Sequence, residues 1–336
     1  MKSDIVKGIT PGGKRAVLGD VLPLSNPFLV QIFPVYSCNF RCNYCIYALP
    51  KSRHGYISNK VFIELDMFKK CIDDMVDANW KLKMLRFAGI GEPLLHKDID
   101  FMIKYAKDNN IADSVDIVTN GVLLNEKLSM RLIEAGIDKL RISIQGISTE
   151  HYKNVCDVNI DFDKFVKNIE YFYKNRGRTK VYIKIINSVL KDDEYNVFLI
   201  YLEIFVMRIA IENLTPTVKG IDYTKITKND NFNLTQNGTL IIDTQICPQP
   251  FYMMQINPDG CVVPCCSMSY PLVIGNILEE KIAQIWNGKK FNEFRRNMLE
   301  GVKNASNVCS ECSLYKYGTY KEDVLDSYAE QLKNLY

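Results

Sequence analysis

No sign of charge dominates this sequence of 336 residues: 42 Lys and Arg stand against 39 Asp and Glu, interleaved, for a formal net charge of +3. Without a one-signed field, general attraction to nucleic acid or to a membrane surface is excluded, and partners must be argued from sites. No long apolar run is present either. The most apolar stretch, residues 197–214, is interrupted by Glu203 and Arg208, so it reads as a buried helix running into a strand rather than a membrane span. The first 20 residues lack the apolar core and small-residue cleavage pattern of a signal peptide, so the expected location is cytoplasmic. Internal repeats and long biased tracts are also lacking. The remaining composition, 47% hydrophobic and 24% charged, is that of a globular chain with room for one large core and a smaller appended domain.

What the chain does have is cysteine, 11 in all. In a secreted protein these would suggest disulfides, whereas in a reducing compartment thiols grouped in sequence more often hold metal. Cys38, Cys42 and Cys45 form one group. Cys247, Cys261, Cys265, Cys266, Cys309 and Cys312 form a second near the other end, and Cys71 and Cys156 stand alone.

Between the groups, apolar strands alternate with amphipathic helices. Strands are expected at 28–33, 82–88, 114–119, 139–144, 180–187 and 210–214, with helices at 59–78, 98–109, 125–135, 161–175 and 192–206. Such alternation implies parallel strands with right-handed crossovers, in either a doubly wound sheet or a barrel. The special residues favour the barrel. Gly89 to Pro93, Thr119 to Gly121, Ser143 to Gly146 and Asn187 to Ser188 all fall at or just after a strand's end, where barrel active sites are built. The expected fold is therefore α/β, a partial (β/α)6 TIM-like barrel at 28–215. It is preceded by an N-terminal extension at 1–27 and followed by a polar, turn-rich linker at 216–238. A small cysteine-rich C-terminal domain at 239–336 completes the chain.

Cys38, Cys42 and Cys45 lie within eight residues, so one loop can bind three irons of a cubane and leave the fourth open. Zinc with His54 as fourth ligand is the bland alternative. The spacing CxxxCxxC, with aromatic Tyr44 before the last cysteine, resembles the signature of the radical S-adenosylmethionine (SAM) superfamily. Gly89, Ile90, Gly91, Glu92 and Pro93 resemble that family's glycine-glycine-glutamate-proline turn, with Ile90 in place of the first of the paired glycines. The resemblance spans roughly residues 28–215 and implies a SAM-binding [4Fe-4S] cluster on Cys38, Cys42 and Cys45. It also implies SAM contacts from Tyr44, Gly89, Gly91, Glu92, Ser143, Gln145 and Asn187. Physically, glycines allow close approach of backbone to ligand, and a carboxylate such as Glu92 complements an ammonium group. In the family, SAM is cleaved reductively and the resulting 5'-deoxyadenosyl radical abstracts a substrate hydrogen.

In the second group, Asn257 to Gly260 reads as a hairpin turn that draws Cys247 towards Cys265, and the CxxC of Cys309 and Cys312 closes a four-thiol site. A zinc ribbon shares that geometry. The stretch resembles the C-terminal auxiliary-cluster domain of radical enzymes, called SPASM, in its shortened twitch form, because the further cysteines of the full form are missing after Cys312. That resemblance implies a second [4Fe-4S] cluster on Cys247, Cys265, Cys309 and Cys312, with Cys261 and Cys266 as rivals to Cys265. Cys71 reads as an apolar core residue. Cys156, after the fourth strand's rim loop, is a candidate hydrogen donor facing the cavity.

A fully ligated auxiliary cluster suits electron transfer, which points towards oxidation. Members of the family with the short domain include a dehydrogenase of an aminocyclitol alcohol. The leading expectation is thus a radical SAM oxidoreductase, a dehydrogenase of a sugar or cyclitol-like hydroxyl. Its partners would be that small molecule and a reducing donor such as flavodoxin or ferredoxin, with no nucleic acid and no membrane. The rivals are peptide or protein side-chain modification, radical epimerisation through Cys156, and a zinc-stabilised binding protein without catalysis. His96 and His151 lie near the expected rim and are assigned no role.

Overall fold

Alternation along the central strands organises the fold. The protein is described by a computed structural model, which covers residues 4–5, 15–55, 58–191, 194, 196, 198, 208–227 and 232–336. In β2 (Leu29–Ile32), β3 (Met84–Phe87), β4 (Val115–Thr119), β5 (Lys139–Ile144) and β6 (Lys180–Ile186) every second residue enters one large core. Val30, Leu85, Phe87, Ile117, Leu140, Ile142 and Ile183 lose all exposure there, against helix residues such as Phe68, Ile72 and Ile103. Because strand side chains alternate between faces, the intervening Gln31, Arg86, Asp116, Arg141 and Tyr182 project from the opposite, concave face.

The sheet runs β1 (Asp4–Ile5), β7 (Arg208–Glu212), β6, β5, β4, β3, β2, β8 (Met253–Ile256), β9 (Cys261–Val263), β10 (Gly275–Asn276). From β2 to β7 each strand pairs in parallel with its successor, six in a row without a reversal of order. A doubly wound sheet reverses its order at a switch point, so this is a partial (β/α)6 barrel. The crossover helices are α2 (Leu65–Asp77), α3 (Ile99–Asp108), α4 (Glu126–Glu134) and α6 (Phe162–Asn175), after a short α1 (Leu18–Val21) and joined by α5 (Thr149–Cys156). The helix expected at 59–78 begins later, because Glu64 is extended and Phe62 bridges to Val35. The one expected at 192–206 lies largely outside the described residues.

Two pairings extend the sheet beyond the six strands. β1, in the stretch read as a mere extension, joins β7 in parallel. At the other edge β8 pairs in parallel with β2, Gln31 opposite Gln255, and turns back through the expected hairpin into antiparallel β9. The C-terminal unit therefore continues the barrel sheet. Helices Ile282–Asn287 and Lys289–Leu299 pack beside it around Arg295, which is 2% exposed. Its guanidinium donates to the carbonyls of Pro250 (3.0 Å) and Trp286 (2.8 Å) and lies 3.7 Å from the Phe291 ring centre. Among the described residues, no helix is long and apolar enough to cross a membrane.

Candidate active site

β2 delivers the chain directly into the first cysteine loop. Cys38, Cys42 and Cys45 are partly exposed there. The loop is fixed by α5, whose last carbonyls accept hydrogen bonds from the amides of Arg41 (to Cys156, 2.9 Å) and Asn43 (to Val155, 2.8 Å). Burial pushes the Cys38 thiol up to about 12 and Cys45 up to about 11, each raised further by the neighbouring cysteines. Metal-free, these groups stay protonated; bound iron is what would make them thiolates.

The turn after β3 is shaped to lie against that loop. Gly89 and Gly91 have φ of 144° and 152°, in the region that side chains avoid. A Cβ on Gly91 would stand 2.0 Å from the Val35 carbonyl oxygen, and one on Gly89 would stand 2.0 Å from the Phe33 ring. The Glu92 amide donates to the Ser37 carbonyl (2.8 Å), tying turn to loop. Glu92 itself points inward and is 2% exposed. Its carboxylate accepts from the Leu94 amide (2.9 Å), the Thr119 hydroxyl (2.5 Å) and the Asn120 amide (2.7 Å). Read in the sequence as a complement for an ammonium group, this carboxylate is used by three protein donors, so the side chain locks the β3 turn to the end of β4. Burial still raises its pKa to about 6.

Other expected contacts meet at the same rim. The Tyr44 hydroxyl donates to Gln145, whose amide group donates in turn to the Ser143 carbonyl (3.0 Å). Ser143 thus sits with Tyr44 and Gln145 at the end of β5. Asn187, after β6, is turned to the next strand: it donates to Asn213 (2.9 Å) and accepts from the Leu214 amide (3.3 Å).

Cys156 corrects an expectation. It closes α5 rather than following a loop, has no exposure, and its sulfur lies 3.3 Å from that of Cys42. Capping at Ser148 and a left-handed Asp157 (φ 55°) wind it into the core, where its sulfur packs against the first cysteine loop. The histidines serve local contacts. His54 and His96 bond the carbonyls of Leu49 (2.8 Å) and Ile63 (2.9 Å), and His151 lies 3.3 Å from Glu194. Cys71 is fully buried in α2, as its helical setting implied.

In the second group, Cys247, Cys265, Cys309 and Cys312 line one cavity together with Gln249, Phe294, Met298 and Tyr315. Of the rivals, Cys261 takes the Asn276 amide (3.7 Å), and the Cys266 thiol donates to the oxygen of Gln249, itself a lining residue (3.5 Å). Burial raises Cys247 and Cys265 well above the ordinary thiol range. Four soft donors around a mostly apolar hollow fit an iron-sulfur cluster. No group of three or more His, Cys, Asp or Glu among the described residues closes to the radius of a single ion.

The family model for the radical SAM superfamily matches residues 32–194, and that for SPASM, an iron-sulfur cluster-binding domain, matches residues 247–313. The chain belongs to the radical SAM superfamily. Membership brings a [4Fe-4S] cluster and SAM to the first domain, and auxiliary iron-sulfur binding to the second. The radical SAM chain is 26% identical over 322 residues to a tungsten-containing aldehyde ferredoxin oxidoreductase cofactor-modifying protein of Pyrococcus furiosus, covering 82% of this chain and 85% of that one. The crystal structure of BtrN in complex with AdoMet and 2-DOIA superposes with a TM-score of 0.56 at 20% identity, over 85% of this chain and 92% of that one. Streptococcus suis SuiB bound to precursor peptide SuiA gives 0.60 at 15% identity, over 83% and 69%. At these identities the structural likeness is one of fold.

Between the two cysteine sites this radical SAM protein carries a polar chain that sequence reading missed. The hydroxyls of Tyr36, two residues before Cys38, and Tyr270 lie 3.2 Å apart. Tyr270 also bonds Gln255, which accepts from Gln31 (3.4 Å) and donates to Asn257 (2.8 Å). The available signal was a glutamine in the middle of each of two apolar strands, where an unpaired amide would be costly.

Proposed function

We propose that this radical SAM enzyme is a dehydrogenase that oxidises a hydroxyl of a sugar- or cyclitol-like small molecule. The observation that carries the reading is the enclosed set of Cys247, Cys265, Cys309 and Cys312: four thiols complete the ligation of one cluster, leaving no iron for substrate. When bound, the two clusters and SAM supply a hydrogen-abstracting carbon radical and an acceptor for the second electron.

The chain's own residues do the rest. Cys38, Cys42 and Cys45 hold the first cluster, while Gly89, Gly91, Tyr44, Ser143, Gln145 and Asn187 shape the bed for SAM. Phe33, Tyr36, Ile46, Tyr47 and Ile90 form a buried apolar pad beneath the loop, which keeps water from the reacting centre. The Tyr36 and Tyr270 hydroxyls, bonded to each other and to Gln255, offer hydrogen-bonding groups beside the first cysteine loop to a substrate hydroxyl. An external donor such as flavodoxin or ferredoxin supplies the first electron.

The test is anaerobic reconstitution followed by reduction. Two cubanes correspond to about eight irons per chain. With deuterated polyols, the expected outcome is deuterium in 5'-deoxyadenosine and one carbonyl product for each SAM cleaved. A colourless zinc protein, or cleavage that answers to peptides and never to polyols, would overturn the reading. The latter result would favour peptide modification, the rival that the likeness to peptide-bound SuiB supports.

A further inference from the structure

The concave face of the half-barrel carries an uneven distribution of charge. Arg15, Phe28, Lys83, Arg86, Arg141 and Tyr252 are among the residues lining a cavity of about 310 Å³ at the N-terminal ends of β2 and β3, a volume typical of small-molecule sites. Both nearby carboxylates are already engaged. Asp323 takes Arg15 (2.5 Å). Asp116, without exposure, accepts from Arg141 Nε (3.1 Å) and Nη2 (3.0 Å) and from the Ser114 hydroxyl (2.5 Å), with Lys139 at 3.7 Å.

Arg86 is left over. Among the described residues its Nη2 reaches only the Met84 sulfur (3.0 Å), a weak acceptor, and its buried Nε has no hydrogen-bond partner. Lys83, at the rim, lies 3.5 Å above the Phe28 ring and makes no ion pair among the described residues. The carboxylate whose charge reaches Arg86 is Asp116, and Asp116 is already shared by Arg141 and Lys139. Among the described residues, five cations thus share two carboxylates. A desolvated guanidinium without a partner is strongly unfavourable, and its planar fork matches a phosphate or carboxylate.

We propose that the floor of the half-barrel is an anion site, in which Arg86, flanked by Lys83 and Arg141, holds a phosphate or carboxylate carried by the substrate. That the anion belongs to the substrate rests on the dehydrogenase reading above. Arg86 precedes Gly89 by three residues, so at about 3.3 Å per residue the anion sits roughly 10 Å below the cluster rim. A molecule of sugar-phosphate size is about as long as that separation, so one anchored there by its anion would direct its hydroxyls towards the rim.

Calorimetry on the reconstituted full chain, at fixed ionic strength, compares inorganic phosphate, glucose 6-phosphate, glucuronate and neutral glucose. The anions are expected to bind and glucose is not. Preference for glucose 6-phosphate assigns a phosphate, and preference for glucuronate a carboxylate. Arg86→Gln should weaken the bound anion about tenfold or more, and Arg86→Lys less. Lys83→Gln, at the rim, should cause a smaller loss without touching the core. Glucose binding as tightly as the anions, or anion affinity unchanged in both the Arg86→Gln and Lys83→Gln proteins, overturns the site. SAM cleavage without substrate is followed in parallel and should survive Arg86→Gln. Oxidation of neutral polyols with no anion binding removes the site and leaves the dehydrogenase standing. Anion binding with no polyol oxidised does the reverse.

Discussion

The carboxylate of Glu92 takes three hydrogen bonds and still titrates near 6, because complete burial outweighs the donors. The folded chain therefore favours the protonated form relative to an unfolded chain near 4.5. This group's contribution to stability is full below that value and is lost as pH rises through about 6, by about 2 kcal/mol. Urea midpoints of wild type measured against Glu92→Gln should fall across that window; a constant difference would refute the account. Gly91→Ala is a harsher change, since its Cβ would enter the Val35 carbonyl. Iron bound at the first loop should drop severalfold while the auxiliary iron stays. Cys156→Ala, by contrast, removes a buried sulfur and no ligand. It should cost about 1–2 kcal/mol in thermal unfolding and leave SAM cleavage intact. Cleavage that persists while product is lost would restore Cys156 to the reaction as a hydrogen donor.

At the level of elements, the six barrel strands were legible to within about two residues because each places a file of aliphatic side chains into the core. Elements without such a file escaped. β1 has two residues, too few for a period, and α5 buries only Tyr152 and Cys156. The cysteine spacing and the glycines of the β3 turn were equally readable, because their chemistry is local. The occupations of Glu92 and Gln145 were not: Thr119 and Asn120 reach Glu92 from the end of β4, and Tyr44 reaches Gln145 from the cysteine loop, at separations only tertiary structure reveals. α5 matters because its C-terminal carbonyls hold the cysteine loop. Its cap, Ser148, accepts from the His151 amide (3.2 Å). Ser148→Ala should cost about 1 kcal/mol, and the reconstituted cluster should bleach faster under chelator than in wild type. Equal bleaching would show that the loop holds itself.

For the whole molecule, the two cysteine sites hang from neighbouring strands of one sheet, β2 leading to Cys38 and β8 passing through its hairpin to Cys265. Replacing Cys309 by Ala should leave uncoupled SAM cleavage measurable, while carbonyl product falls at least about tenfold, the loss expected when one of two coupled steps fails. Equal loss of both would mean that the C-terminal unit is needed only for folding.

The Gln31–Gln255 register has a mechanical corollary. Two redox stations fastened to adjacent ribs of a single frame keep their gap without any hinge between them. Turnover should then be indifferent to solvent viscosity at the step linking the stations, and glycerol should slow only the arrival of substrate or of the external reductant.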